Sequence, residues 1–111
     1  MATTPVPETA TPIAGARTSS VLARFTAAPG VTTEQYDETL RRLEPTGNWP
    51  PEGLAYHVAF RSDGRLRVSE IWDSREQMDA FGKRLMPVLK DVGIELSGEP
   101  EVVAIHNIIE R

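Results

Sequence analysis

The 111-residue sequence is 40% hydrophobic and 25% charged, a composition typical of one soluble globular domain with a single core. Its formal net charge of −4 and pI near 5.1 disfavour a nucleic-acid partner, because phosphate binding needs a clustered basic surface. It has no cysteine, and it lacks both a signal peptide and an apolar run near the roughly 20 residues of a membrane span, so we expect a cytoplasmic protein without disulfides.

Residues 1 to 18 are predicted to form a flexible tail, and residues 19 to 111 the folded domain. The tail is rich in Thr, Ala and Pro without apolar periodicity, so it cannot bury enough surface to offset its ordering entropy. An ordered arm laid across a partner subunit is the alternative. Apolar residues alternate over residues 21–27, which predicts a first strand.

A first helix is predicted from the T-x-x-Q capping box of Thr32 to Gln35 to about Glu44. Pro45 ends it, and a loop that contains Trp49 follows.

The next segment is predicted to be a β-hairpin, with strands near residues 54–61 and 65–73. Asp63-Gly64 is a strong hairpin signal, because a type I′ turn needs positive φ at both central residues. Counting outward from this turn gives the register, which pairs Ser62 with Arg65, Ala59 with Val68, His57 with Glu70 and Ala55 with Trp72.

A second helix is predicted behind the capping box of Ser74 to Gln77, with a kink or break at Pro87 and Gly93 as its C′ residue. A last strand is predicted from Val102 to Ile109, and since it is apolar on both sides we expect it to be covered on both faces.

The element order β-α-β-β-α-β is that of a ferredoxin-like α+β sandwich. Two helices can cover only one side of the sheet, so the other side needs a second cover. The residues predicted on that side are too apolar to face water: Leu54, Tyr56, Val58, Phe60 and Ile71. A second copy of the sheet is the expected cover, which makes the protein a homodimer.

Over residues 20 to 110 the sequence resembles the antibiotic-biosynthesis-monooxygenase-like proteins of the dimeric α+β barrel superfamily. The matching pieces are APG-x-T-x-EQY (28–36), P-x-GL-x-YHVA (51–59), EIWDS-x-EQM-x-x-F (70–81), LMP (85–87) and IHNII (105–109). The resemblance implies that two sheets close into a dimeric barrel and that each subunit binds its ligand between its own sheet and helices.

This superfamily hosts cofactor-free quinone-forming monooxygenases, lactone isomerases, polyketide cyclases, heme-degrading enzymes and members without known activity. Trp72 matches a tryptophan that lines the pocket of the heme-degrading relatives. Those relatives also use a histidine on a helix as axial ligand, and the predicted second helix has none, so the resemblance disfavours heme.

His57 and Glu70 are the candidate catalytic residues. A carboxylate beside a neutral imidazole fixes its tautomer and stabilises the imidazolium, so His57 could abstract a phenolic or α-carbonyl proton as a general base. The alternative is a half-buried cross-strand pair without chemical meaning.

The residues expected to contact a substrate flank this pair. His106 shares its strand with Asn107, and only one of the two can face the pocket. The candidate substrate-binding residues are Trp72, Ala55, Ala59, Val68, Trp49, His106, Phe81 and Leu85. No spacing defines a metal site, and no phosphate cradle or dinucleotide fingerprint is present, so neither a metal nor a bound cofactor is expected.

The sequence therefore predicts a small enzyme that acts without a bound cofactor on a hydrophobic, aromatic or polyketide-like molecule. The reaction would be monooxygenation, isomerisation or cyclisation with His57 as base. The alternative is a ligand-binding or structural dimer without turnover.

Overall fold

The computed structural model describes residues 19–111, which form four strands and two α-helices in the order β-α-β-β-α-β. The elements are β1 Val21–Thr26, α1 Thr33–Leu43, β2 Leu54–Ser62, β3 Arg65–Trp72, α2 Arg75–Val92 and β4 Glu101–Ala104. A short 3-10 helix, Glu44–Thr46, follows α1. The tail predicted at residues 1 to 18 lies outside the described residues.

The strands make one sheet in the order β2-β3-β1-β4, and every neighbouring pair is antiparallel. Both helices pack against the same face, which we call the helix side. The predicted ferredoxin-like α+β fold is confirmed. None of the helices formed by residues 19–111 is both long and apolar enough to cross a lipid bilayer.

The main core lies between the helices and the two central strands. Its most buried large side chain is the Trp72 indole of β3, which is 1% exposed, and Ala23 of β1 is 0% exposed. Leu43 at the end of α1 and Phe81 of α2 close over them. The burial of large side chains here is the main contribution to holding the helices on the sheet.

Both helices begin at the predicted capping residues. The Thr32 hydroxyl accepts from the Gln35 backbone N–H, and the Gln35 side chain accepts from the Thr32 backbone N–H. The Ser74 hydroxyl caps α2, which ends at Gly93 with φ 94°. The helix continues through Pro87, so a break there is wrong; packing of the flanking turns offsets the lost backbone hydrogen bond.

The hairpin turn has the predicted conformation, with φ 55° at Asp63 and 74° at Gly64. The register counted from it is correct as far as His57 and Glu70, which are paired across β2 and β3.

The predicted pairing of Ala55 with Trp72 is wrong, because β2 has a register shift between Leu54 and Tyr56. Leu54 pairs with Trp72 instead, and Ala55 is the extra residue of this bulge. Leu54 consequently packs against the core on the helix side rather than lying on the opposite face.

The face of the sheet without helices, which we call the open face, exposes large apolar side chains on its two edge strands, β2 and β4. Tyr56 is 51% exposed and Phe60 37% exposed on β2, and Val103 of β4 is 40% exposed. Strand alternation places Val58 and Ile71 on the same face.

The last strand is shorter than predicted and ends at Ala104 rather than Ile109. It pairs with β1 from Arg24 to Val21, which is the first residue of β1, so residues beyond Ala104 run past the end of their partner strand. An apolar sequence cannot remain a strand of this sheet where no neighbour offers backbone hydrogen bonds.

Candidate active site between the sheet and the helices

The centre of the candidate site is a hydrogen-bonded histidine and glutamate on the helix side of the hairpin. His57 of β2 and Glu70 of β3 are opposite each other, and His57 Nδ1 lies 2.6 Å from Glu70 Oε2. The other carboxylate oxygen accepts from the indole N–H of Trp72 at 2.9 Å. Glu70 and Trp72 are two residues apart on one strand, so their side chains share a face.

Helix α1 supplies a fourth member, Tyr36, which is not among the site residues predicted from the sequence. Tyr36 Oη lies 2.7 Å from His57 Nε2. Because an ionised carboxylate only accepts hydrogen bonds, the bond to Glu70 assigns the imidazole proton to Nδ1. When the ring is neutral, Nε2 accepts the hydroxyl proton of Tyr36. The result is a continuous hydrogen-bonded chain, Tyr36–His57–Glu70–Trp72, which we call the proton chain.

Burial sets the electrostatics of the proton chain. The His57 and Glu70 side chains are 16% and 9% exposed, so water screens their interaction weakly. Burial raises the pKa of the Tyr36 hydroxyl above its ordinary value, and the negative charges of Asp37 and Glu70 raise it further. Tyr36 is therefore a neutral phenol near pH 7, as its donation to His57 requires.

Aromatic rings fix the orientation of the imidazole. The Trp49 ring meets it edge-on with 5.0 Å between centroids, and the Tyr36 ring stacks nearly parallel at 5.9 Å. Trp49 also contacts Phe81, which in turn packs against Trp72. The loop that follows α1 and the 3-10 helix thus places an indole against His57.

A cavity of about 1210 Å³ lies beside the proton chain, between the helix side of the sheet and the helices. It exceeds the ~300–1,000 Å³ of ordinary ligand pockets. Tyr36, His57 and Glu70 are among its lining residues. Most of the wall is apolar and includes Phe25, Leu40, Leu43, Val68, Phe81 and Leu89. Met86, which is 52% exposed, also lines the cavity.

The structure brings most of the predicted site residues to this cavity. Besides His57 and Glu70, the predicted substrate contacts that line it are Trp49, Val68, Trp72, Phe81 and Leu85.

Three predicted substrate contacts do not line the cavity. Ala55 is the exposed bulge residue, and Ala59 is half-buried opposite Val68 without reaching the cavity wall. His106 is exposed in the segment after β4, because the strand that was expected to carry it ends at Ala104.

The sequence contained only an indirect signal for Tyr36. Tyr36, Leu40 and Leu43 recur at helical spacing, which predicts that they share the buried side of α1. That pattern predicts burial but gives no information on which strand residue the hydroxyl meets 21 positions away.

Within residues 19–111, no group of three or more His, Cys, Asp or Glu side chains is arranged to hold a metal ion. The carboxylate of Glu70 is instead hydrogen-bonded by His57 and Trp72. Chemically, the site offers a half-buried imidazole that faces a carboxylate when it is protonated.

No protein-family model and no curated protein matches the sequence. Solved structures do match the fold. The cofactor-independent oxygenase SnoaB from Streptomyces nogalater, in a mutant form, has a TM-score of 0.54 at 14% identity, covering 83% of this chain and 96% of its own.

Two further structures are similar. A conserved protein of unknown function from Bacteroides thetaiotaomicron has a TM-score of 0.54 at 13% identity, with coverages of 79% and 99%. A proposed antibiotic biosynthesis monooxygenase from Deinococcus radiodurans has a TM-score of 0.51 at 16% identity, with coverages of 82% and 97%. The chain therefore has the fold of antibiotic-biosynthesis-monooxygenase-like proteins, as its motifs predicted.

Proposed function

We propose that this protein is a small-molecule enzyme that works without a bound cofactor on a hydrophobic, aromatic or polyketide-like substrate, with His57 as general base. The observation that carries the proposal is the proton chain on the wall of a large apolar cavity. The apolar wall suits a mostly apolar ligand, and the proton chain is the polar group against which an acidic hydroxyl or enolisable carbonyl would be oriented.

The pair of His57 and Glu70 suits proton abstraction near pH 7. When His57 takes a proton, its imidazolium lies 2.6 Å from the Glu70 carboxylate, so the charge that develops is stabilised in a poorly solvated place. The indole of Trp72 donates to the second oxygen of Glu70 and holds the carboxylate in position. A positioned base of this kind contributes about 10²–10⁴-fold to a rate.

The fold favours monooxygenation among the reactions that begin with this step, because SnoaB is a cofactor-independent oxygenase. Oxidation of a phenol to a quinone by dioxygen balances without another reductant. One oxygen atom becomes the new carbonyl, the other leaves in water with the two hydrogens lost by the substrate, and four electrons pass from substrate to dioxygen. Isomerisation or cyclisation would begin with the same deprotonation.

A second candidate function is ligand binding without turnover. The observation that favours it is the contact between Tyr36 and His57 Nε2, because this nitrogen is the one that a direct base would offer to a substrate.

We further propose that the protein is a homodimer joined through the open face. The open face exposes Tyr56 and Phe60 on one edge strand, β2, and Val103 on the other, β4, and it also carries half-buried Val58 and Ile71. A second copy would cover this surface and leave the cavity on the opposite side of each sheet accessible.

The proposed catalysis can be tested with 1-naphthol, a polycyclic phenol that can form a quinone. We expect the wild-type protein to consume dioxygen and form naphthoquinone in equal amounts. Glu70→Gln preserves size, but its amide N–H would donate to His57 Nδ1 and shift the imidazole proton to Nε2, so the rate should fall by about 100-fold or more. His57→Ala should abolish turnover. Both variants should retain the wild-type far-ultraviolet circular dichroism.

Glu76→Gln is the matched control, because Glu76 is exposed in the first turn of α2, away from the proton chain. It should leave the rate unchanged. Full activity of Glu70→Gln or His57→Ala would overturn the proposed base. Tight binding of 1-naphthol and related polycyclic phenols without any turnover would favour the binding alternative.

A further inference from the structure

Both ring nitrogens of His57 are already hydrogen-bonded to protein groups. Nδ1 is bonded to Glu70 and Nε2 to Tyr36, at 2.6 and 2.7 Å. The Trp49 ring also packs edge-on against the imidazole. A base that reacts directly needs a free nitrogen within hydrogen-bond reach of the substrate proton. His57 has none in this arrangement, so a ligand in the cavity meets the proton chain through another of its members.

Tyr36 is the member that can receive a ligand. Its hydroxyl donates its single proton to His57 and keeps its oxygen lone pairs for a further hydrogen bond. The residue is half-buried and lines the cavity together with apolar neighbours from the same helix. Glu70 is less suited, because its side chain is only 9% exposed and already accepts from His57 and Trp72.

We propose that Tyr36 is the catalytic residue that takes the ligand proton and that His57 receives the proton passed on by Tyr36, an inference that rests on the proposed function. The O–H or C–H bond of the ligand breaks, and its proton bonds to Tyr36 Oη. At the same time the Tyr36 O–H bond breaks, and that proton bonds to His57 Nε2. The electron pair stays on the ligand as an anion, and the imidazolium faces Glu70. No electrons leave the ligand in this step.

The same arrangement defines the class of ligand. The Glu70 charge and the raised pKa of Tyr36 make this end of the cavity unfavourable for a group that arrives as an anion. The ligand becomes an anion only after it has bound, and the positive charge of the His57 imidazolium then balances it. The ligand is therefore neutral and mostly apolar, with one weakly acidic hydroxyl or enolisable C–H.

The test uses 4-nitrophenol, whose anion absorbs at longer wavelength than its neutral form, so ionisation of the bound probe is read directly. In the wild-type protein the ionisation midpoint of bound 4-nitrophenol should lie below that of free probe by about one pH unit. Tyr36→Phe should abolish most of this shift, and so should His57→Gln. Binding of 4-nitroanisole, which has no proton to lose, should be unchanged in both variants, whereas a merely structural role would weaken it.

Tyr56→Phe is the matched control, because it removes the same hydroxyl from a tyrosine that is 51% exposed on the open face. It should keep the wild-type shift. A Tyr36→Phe protein that keeps the shift while His57→Gln loses it would overturn the role of Tyr36 and leave His57 as a direct base. If only Tyr36→Phe loses the shift in the ionisation midpoint, and His57→Gln keeps it, the proposed transfer of the proton from Tyr36 to His57 is overturned. A shift that survives both substitutions would overturn the proposed function as well.

A measurement on the wild-type protein makes the test independent of how the variants fold. The chain has two histidines, His57 and His106, so ¹⁵N spectra of their ring nitrogens are simple to assign. Addition of 4-nitrophenol should protonate both nitrogens of His57, and 4-nitroanisole should not. A His57 ring that stays neutral with bound 4-nitrophenolate would overturn the proton transfer.

Discussion

Tyr36 is the residue whose protonation state decides whether the proton chain is assembled. Because burial is the first cause of its raised pKa, we expect its phenol to titrate above the ordinary 10.0. The difference in ultraviolet absorbance between wild type and Tyr36→Phe, followed with pH, isolates this titration. A midpoint at or below 10.0 would contradict the burial of the hydroxyl.

The raised pKa also predicts how stability depends on alkaline pH. Below pH 10 the folded and unfolded chains both keep the Tyr36 proton, so the stabilisation of the neutral phenol is fully present. As pH rises above about 10, the unfolded chain releases this proton first. The contribution of Tyr36 to stability is then lost as the pH rises to the pKa of Tyr36 in the folded chain. The melting temperature of wild type should therefore fall more steeply than that of Tyr36→Phe over this range.

The sequence predicted the part of the candidate site on the hairpin better than the part on α1. His57 and Glu70 could be paired because a two-residue turn fixes the register of the strands next to it. Their partner on α1 could not be predicted in the same way. The position of Tyr36 against the sheet depends on how the helix packs, which hydrophobic periodicity does not specify.

The hairpin between β2 and β3 holds the site together, because it positions both His57 and Glu70. Gly64 at its turn has φ 74°, and a Cβ there would meet no atom within 4 Å. Gly64→Ala should therefore destabilise the protein by backbone strain alone, by about 1 kcal/mol. Chemical denaturation measures this change.

Gly82 offers a matched control, because the same substitution there should change stability in the opposite direction. It lies inside α2, and its Cβ would also meet nothing within 4 Å. Because glycine is a poor helix former, Gly82→Ala should stabilise the protein by about 0.5–1 kcal/mol. Equal effects of Gly64→Ala and Gly82→Ala would contradict the distinction between the positive-φ turn and the helix interior.

The two errors in predicting the strands have a common physical cause, namely that pairing depends on a partner strand. Counting from the turn failed at Ala55, where a bulge rotates Leu54 towards the core beside Trp72. The apolar sequence after Ala104 predicted a continued strand, but β1 starts at Val21 and offers no further pairing. Local sequence patterns predict whether a segment is a strand or a helix more reliably than they predict the residues at which it begins and ends.

At the scale of the whole molecule, the two faces of the sheet differ in their cover. The helix side has a core and a cavity, whereas the open face exposes apolar side chains of β2 and β4. Residues after β4 add to the exposed apolar surface, since Ile109 is 89% exposed. The large apolar side chains exposed on both edge strands of one face are the reason why we propose that a second copy covers the open face.

The proposed dimer can be tested by changing one residue of the open face. Light scattering coupled to gel filtration should give twice the 12.2 kDa of the chain at micromolar concentration. Phe60→Glu should give a monomer, because a two-fold interface contains the substitution twice and each copy replaces apolar contact area with a charge that must lose water on assembly. Met86→Glu is the control, since Met86 is exposed on α2, on the opposite side of the sheet from the open face. It should remain dimeric, and a wild-type monomer, or a dimeric Phe60→Glu protein, would contradict assembly through the open face.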